Sequence, residues 1–189
     1  MKEPKLLRRT YFGNPILRET AKRLSKDEIL SDEIQQLIKN IKYTVDKRKY
    51  GVGLAAPQVG VSIALALIAI KPTPTRPDRK IFNKVIINPE IIETYGNKKG
   101  MWEGCISYGS GTNFPYGQTK RYKKIKVSYV DEYAKKHTEV LEGFIAHVFQ
   151  HETDHLNGIL FVDRVTDNTT FITASEYRKR IVPTLPKDD

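Results

Sequence analysis

A chain of 189 residues, 39% hydrophobic and 29% charged, can bury one substantial core, and its composition is neither that of a disordered chain nor that of a fibrous one. The longest apolar run, Ile63 to Ile70, is far too short to cross a bilayer, and a single cysteine excludes an internal disulfide. The formal net charge of +10 is spread along the chain and fits either a solvated surface or attraction to an acidic partner such as an RNA-rich particle; no zinc-finger spacing, RNA-binding aromatic signature or arginine-rich arm makes nucleic acid the substrate.

The basic opening, Met1 to Arg9, has no apolar signal core behind it, because Gly13-Asn14-Pro15 turns the chain at once. A cytoplasmic protein is expected, with an organellar origin left open. Leu30, Ile34, Leu37, Ile38 and Ile41 recur at helical spacing and predict one amphipathic helix over Asp27 to Tyr43, with Ser25 or Ser31 as its cap. Gly51 to Gly60 is rich in glycine and alanine, which let backbone approach backbone or ligand closely. It is not a phosphate loop, since the glycine spacing fails and the loop precedes the strand of residues 61–70 instead of following it.

Lys71 to Lys80 is a proline-broken loop, Lys84 to Ile92 a strand interrupted at Asn88-Pro89, and Tyr95 to Lys99 a turn. Trp102 to Ser107 is a short segment before a long aromatic loop, Tyr108 to Gln118. Lys123 to Tyr133 alternates as a strand with Ile125, Val127 and Tyr129 inward. Leu141 to Phe149 forms the body of a helix that continues through Gln150 to Gly158, and Ile159 to Val162 reads as a last short strand. Thr166 to Thr173 carries too many threonines for a helix, while Glu176 to Ile181 can add a turn or two. The sum is an α+β fold, a single domain over residues 1–189, with antiparallel or mixed sheets around a central helix that carries the histidines.

On that helix His151 and His155 stand four apart on one face with Glu152 beside them, an HExxH pattern that usually means metal-assisted hydrolysis. Cys105, otherwise a buried bystander or a nucleophile, offers a soft third ligand and leaves one position for water; Cys/His ligation alone points to zinc. Glu152 can take the water's proton and return it to a departing nitrogen. Gln58 and the backbone N–H of Ile106 are the candidate donors to the developing oxyanion. Asp154 either fixes the helix or accepts from a ligand imidazole.

Three separated motifs, Gly51 to Gln58, Glu103 to Ser107 and Gln150 to Gly158, together resemble the peptide deformylases and occur in that family's order. Asn14 to Arg18 and Ile87 to Pro89 extend the likeness over about residues 10–165, with the tail 166–189 outside it. The resemblance implies removal of the formyl group from the N-terminal methionine of nascent chains, with Cys105, His151 and His155 as metal ligands, Glu152 as base and then acid, and Gln58 and the Ile106 amide at the oxyanion. It also implies Fe²⁺, replaceable by zinc, nickel or cobalt. The methionine pocket falls on Val52, Gly53, Phe144, His147 and Val148, of which His147 is an unexpected polar wall. The partner implied is the formylated nascent peptide, with transient ribosome association through the spread charge, no DNA and no membrane; a monomer is the default.

The departures follow the cysteine, where the loop is longer than is common in the family and no lysine or arginine occurs between Cys105 and Lys120. They leave room for a hydrolase of the same fold acting on another small N-acyl or formamide group. A non-catalytic ribosome- or RNA-binding protein is the alternative of another class.

Overall fold

The computed structural model describes residues 2–48, 51–73, 77–109 and 111–185. Two helices open it, α1 (Lys26–Leu30) and α2 (Asp32–Arg48), where the sequence predicts one. Ser31 makes the break. Its backbone is extended, and its hydroxyl donates to the Glu28 carbonyl at 2.7 Å while accepting from the Ile34 N–H at 3.4 Å. One serine thus closes the first helix and caps the second. Ser25 and Glu28 form a capping box on α1, so both candidate caps are used.

The strands are β1 (Gly53–Ala55), β2 (Leu65–Ile70), β3 (Phe82–Gly104), β4 (Pro115–Val130) and β5 (Lys136–Glu142). They pair antiparallel in the order β1-β2-β3-β4-β5. Helix α3 (Gly143–Leu156) follows, then the short α4 (Phe161–Arg164), the two-residue β6 (Ile172–Thr173) on β4, and α5 (Ala174–Glu176) running into a π turn over Tyr177–Ile181.

The apolar run ending at Ile70 is explained by β2 being buried on both faces. Leu65 and Leu67 turn to a cluster with Ile34, Ile38 and Ile41 of α2, whereas Ala66, Ile68 and Ile70 join Val148, Phe149 and Leu156 of α3. The sheet is therefore held between α2 and the histidine helix. Among the described residues, no helix is long and apolar enough to cross a membrane.

Several boundaries differ from expectation, each for a local reason. Residues 95–99 are not a turn. Strand β3 runs straight through them because its partner β4 is continuous, and the breaking residues are absorbed as register shifts at Ile87/Glu90, Ile91/Glu93 and Tyr95/Lys98. Asn88 takes φ 50 at the first shift, and its amide ties both the N–H and the C=O of Leu24. The strand expected from Lys123 begins at Pro115, since the aromatic residues before it pair with the end of β3. Leu141 and Glu142 belong to β5, and α3 starts at Gly143, whose φ of 59 turns the chain from strand to helix.

Residues 159–162 are not a strand either: Leu160 caps α4, its N–H donating to Asp163 at 2.8 Å, and the helix starts at Phe161. Gly158 joins α3 to this turn with φ +70, and a Cβ there would stand 2.4 Å from the Arg18 carbonyl oxygen. Gly158→Ala should therefore lose at least about 2 kcal/mol of stability, read from the midpoint of urea unfolding.

Candidate metal centre

One buried strand end and one helix build the centre. Cys105, 3% exposed, directly follows β3 and caps a 3₁₀ turn over Ile106–Tyr108, while His151, Glu152 and His155 project from α3. Cys105, His151 and His155 each offer one ligand atom, all within 4.8 Å of one another, and the Cys105 Sγ lies 3.3 Å from His155 Nε2. The two imidazoles meet edge to face with centroids 4.8 Å apart.

This donor set fits a divalent transition metal in chemistry as well as spacing. Burial alone would raise the Cys105 thiol, but His155 and His151 beside it bring it down to about 5, so the sulfur is held as thiolate. Burial lowers His151, yet hydrogen bonds to Cys105 and Glu103 leave it well above the ordinary imidazole value. A cation entering the triad must displace that proton. Its affinity should thus weaken as pH falls, by up to about tenfold per unit for each proton displaced, in a cobalt(II) titration followed by absorbance.

The carboxylate that orients His151 is Glu103, whose Oε2 lies 2.8 Å from the His151 Nδ1. Arg121 holds Glu103 in a fork, Nε to Oε1 at 2.6 Å and Nη2 to Oε2 at 3.1 Å, and Thr119 adds a hydroxyl. Asp154, a candidate for that imidazole contact, accepts instead from Arg121 and from Arg164. Of its two expected roles it has the one that fixes the helix. Nothing in the sequence distinguished Glu103 from a structural acid except its place two residues before the cysteine.

Glu152 is not part of the triad. Its Oε2 is buried without a hydrogen-bond partner, and burial raises its pKa against the opposing pull of His151 and His155. Gly53 makes the space for it, because a Cβ at that position would lie 2.1 Å from Glu152 Oε1. Gly53→Ala should displace the carboxylate and cut turnover at least about a hundredfold, with bound metal per protein unchanged by elemental analysis.

Gln58 is oriented by its backbone neighbour. Its Oε1 accepts the Ala55 N–H at 2.9 Å, so its Nε2 donates to the Cys105 Sγ at 3.3 Å and the Ser107 hydroxyl at 3.2 Å. Ile106 opens the 3₁₀ turn, and the first N–H of such a turn has no acceptor within it.

A cleft of about 280 Å³ opens over this centre. Val52, Gly53, Gln58, Cys105, Ile106, Phe144, His147, Val148, His151 and Glu152 all line it, whereas His155 sits behind. His147 is a buried polar wall, with Nε2 3.3 Å from Glu103 Oε1 and Nδ1 3.0 Å from the Met101 sulfur. Burial lowers its pKa to about 4, although Glu103 opposes the shift, and the ring is neutral at neutral pH. Arg79, Trp102, Tyr116 and Tyr177 also line the cleft, and sequence reasoning missed all four. Trp102 and Tyr116 flank the cysteine segment and could have been suspected; Arg79 and Tyr177 carry no local signal.

A model of the polypeptide deformylase family matches residues 8–171. The chain is 38% identical to peptide deformylase 2 of Nostoc sp. over 179 residues, covering 94% of this chain and 96% of the relative. It is also 38% identical to the peptide deformylase of Leptospira biflexa over 164 residues, 85% of this chain and 88% of that one. Among solved structures it resembles the Met-Ala-Ser-bound class I type b peptide deformylase of Acinetobacter baumannii, with TM-score 0.78 and 36% identity over 86% of this chain and all of that one. The actinonin complex of a Synechococcus elongatus peptide deformylase gives TM-score 0.74 and 37% identity over 90% of this chain and 84% of that one.

Proposed function

Because the chain belongs to the peptide deformylase family, we propose that Cys105, His151 and His155 hold a divalent ion and that Glu152 moves the proton as the formyl group is hydrolysed from N-formylmethionyl peptides. Ferrous iron is the ion that the family resemblance implies, with zinc, nickel or cobalt as substitutes. Such an ion lowers the pKa of water and polarises a carbonyl oxygen.

The chain's own groups supply the rest. Glu152 accepts a proton from the attacking water and delivers it to the departing amine nitrogen, so that formate and a free N-terminus leave. Its lack of a competing partner at Oε2 keeps it available for both transfers. The Ile106 N–H and the Gln58 Nε2, which gives up one of its two bonds to Cys105 and Ser107, are the donors to the oxygen that gains charge. Anchoring of the Gln58 Oε1 on Ala55 fixes which end of the amide donates. Val52, Gly53, Phe144 and Val148, with His147 as the polar wall, receive the methionine side chain, whose unbranched thioether suits an apolar slot.

The observation that carries this reading is the buried carboxylate of Glu152, seated over Gly53 beside a triad of thiolate and imidazoles. Iron-loaded protein under anaerobic conditions should release formate rapidly from formyl-Met-Ala-Ser and no acetate from acetyl-Met-Ala-Ser. Formate absent with iron verified in the protein, or acetate released at a comparable rate, would instead favour another small N-acyl group as substrate.

A further inference from the structure

One wall of the cleft is a stack of aromatic rings. Gly104 and Tyr116 are directly opposed on β3 and β4, and the Tyr116 ring covers the glycine, where a Cβ would stand 2.6 Å from it. Gly104 immediately precedes Cys105, so this ring is packed one residue away from a metal ligand. Tyr177 stacks on Tyr116 with centroids 4.1 Å apart and planes 8° from parallel, and Trp102 tilts against Tyr177 at 5.7 Å. All three rings are partly buried, and they line the same cleft as Cys105 and His151.

Tyr177 comes from the segment after residue 171, where the match to the family model ends. Backbone contacts dock that segment on the long loop after the cysteine. β6 pairs with Pro115 and Tyr116 of β4, the Ala174 N–H donates to the Phe114 carbonyl at 2.9 Å, and the Ser175 N–H donates to the Thr112 carbonyl at 3.0 Å. Ala174 is fully buried, and the Thr173 hydroxyl caps the turn that leads to Tyr177. The pairing that holds Tyr116 at the cleft thus also fixes the ring stacked on it.

Resting on the deformylase reading, we propose that Trp102, Tyr116 and Tyr177 form a subsite for the residue after the formylated methionine, and that this subsite prefers an aromatic side chain. The methionine side chain enters the wall made by α3, through Phe144, His147 and Val148. In an extended peptide the next side chain points the opposite way, toward walls that β3, β4 and the C-terminal segment supply. An extended residue advances only about 3.3 Å, so a side chain one residue past the methionine stays within reach of a ring packed beside Cys105. Each aromatic pair it makes there adds about two- to tenfold in affinity beyond the area it buries.

The test compares kcat/KM of the iron-loaded protein for formyl-Met-Phe-Ser and formyl-Met-Ala-Ser, from formate released under anaerobic conditions. The parent should favour phenylalanine by about fivefold or more. Tyr177→Ala should bring the ratio to within about twofold, while Tyr177→Phe, which retains the ring, should keep it. Trp102 is the only tryptophan in the chain, so its emission reports the product peptides directly, with Met-Phe-Ser saturating the change at a lower concentration than Met-Ala-Ser. Equal kcat/KM for the two substrates overturns the subsite and leaves the deformylase reading intact, as does a phenylalanine preference undiminished in Tyr177→Ala. Equal saturation by the two products in the parent protein overturns it without recourse to a variant. No formate from either substrate, with iron verified in the protein, removes the deformylase reading and the subsite together.

Discussion

Glu152→Ala should lower kcat/KM for formyl-Met-Ala-Ser by about two to four orders of magnitude while retaining the parent's metal content. The separation follows from position: Cys105, His151 and His155 supply the three ligand atoms, and Glu152 stands beside them with an unshared oxygen. His151→Ala, by contrast, removes a ligand and should lose both metal and turnover. Stability gives a second, opposite signature. The Glu152 carboxyl is buried with its Oε2 unsatisfied, so replacing it by an uncharged group relieves a desolvation cost and should not lower the unfolding midpoint. Glu152→Gln, which keeps the shape over Gly53, separates the lost proton transfer from any repacking. Near-parent turnover in the metal-loaded variants would remove Glu152 from the proton-transfer role.

What the sequence revealed of this site follows from what a linear pattern encodes. His151 and His155 are related by one helical turn, and a spacing of four states that directly. The strand β2 was legible because both of its faces are buried, which leaves an unbroken apolar run. Gly53 was legible as a place of close approach, though not which atom approaches it. The carboxylate of Glu152 does, and only the crossing of β1 over α3 decides that.

The less legible parts depend on partners distant in the chain. Gly96 reads as a turn residue, and it becomes a bulge only because β4 supplies a continuous edge to pair with. Strand β5, which the sequence did not reveal, alternates weakly because one of its faces is open, with Val140 about half exposed. Glu103 and Asp154 are both acids next to metal-site residues, and nothing local says which one meets an imidazole. Arg121 decides it by forking onto Glu103 and reaching Asp154 with its remaining nitrogen. Arg79 and Tyr177 reach the cleft from a proline-broken loop and from the tail, where no periodicity marks them.

Arg121→Met is expected to destabilise the protein by about 3–5 kcal/mol and to weaken metal binding by about ten- to a hundredfold. Arg121 is 4% exposed, and its guanidinium serves two buried carboxylates. Without it Asp154 keeps Arg164, but Glu103 keeps only Thr119 and the two imidazoles. Burial raises the pKa of Glu103, and the parent overcomes that, with His151 and Arg121 holding it well below the usual carboxylate range. A depressed carboxylate gives stability that is present above its unfolded value near 4.5 and lost only as pH falls through the lower folded value. Removing Arg121 lifts the folded value, so the loss should begin at higher pH in the variant than in the parent. Once Glu103 is protonated it accepts from the His151 Nδ1 only as a neutral carboxyl, which weakens the contact that aims the other imidazole nitrogen at Cys105. Urea unfolding from pH 4 to 8, together with chelator competition for the bound metal, reads both effects. Adding Glu103→Gln to Arg121→Met should recover part of the stability, since no charge is then left unpaired there, but not the metal affinity. A single variant as stable as the parent, with the parent's metal affinity, would show that Arg121 holds neither carboxylate in a way that matters to the centre.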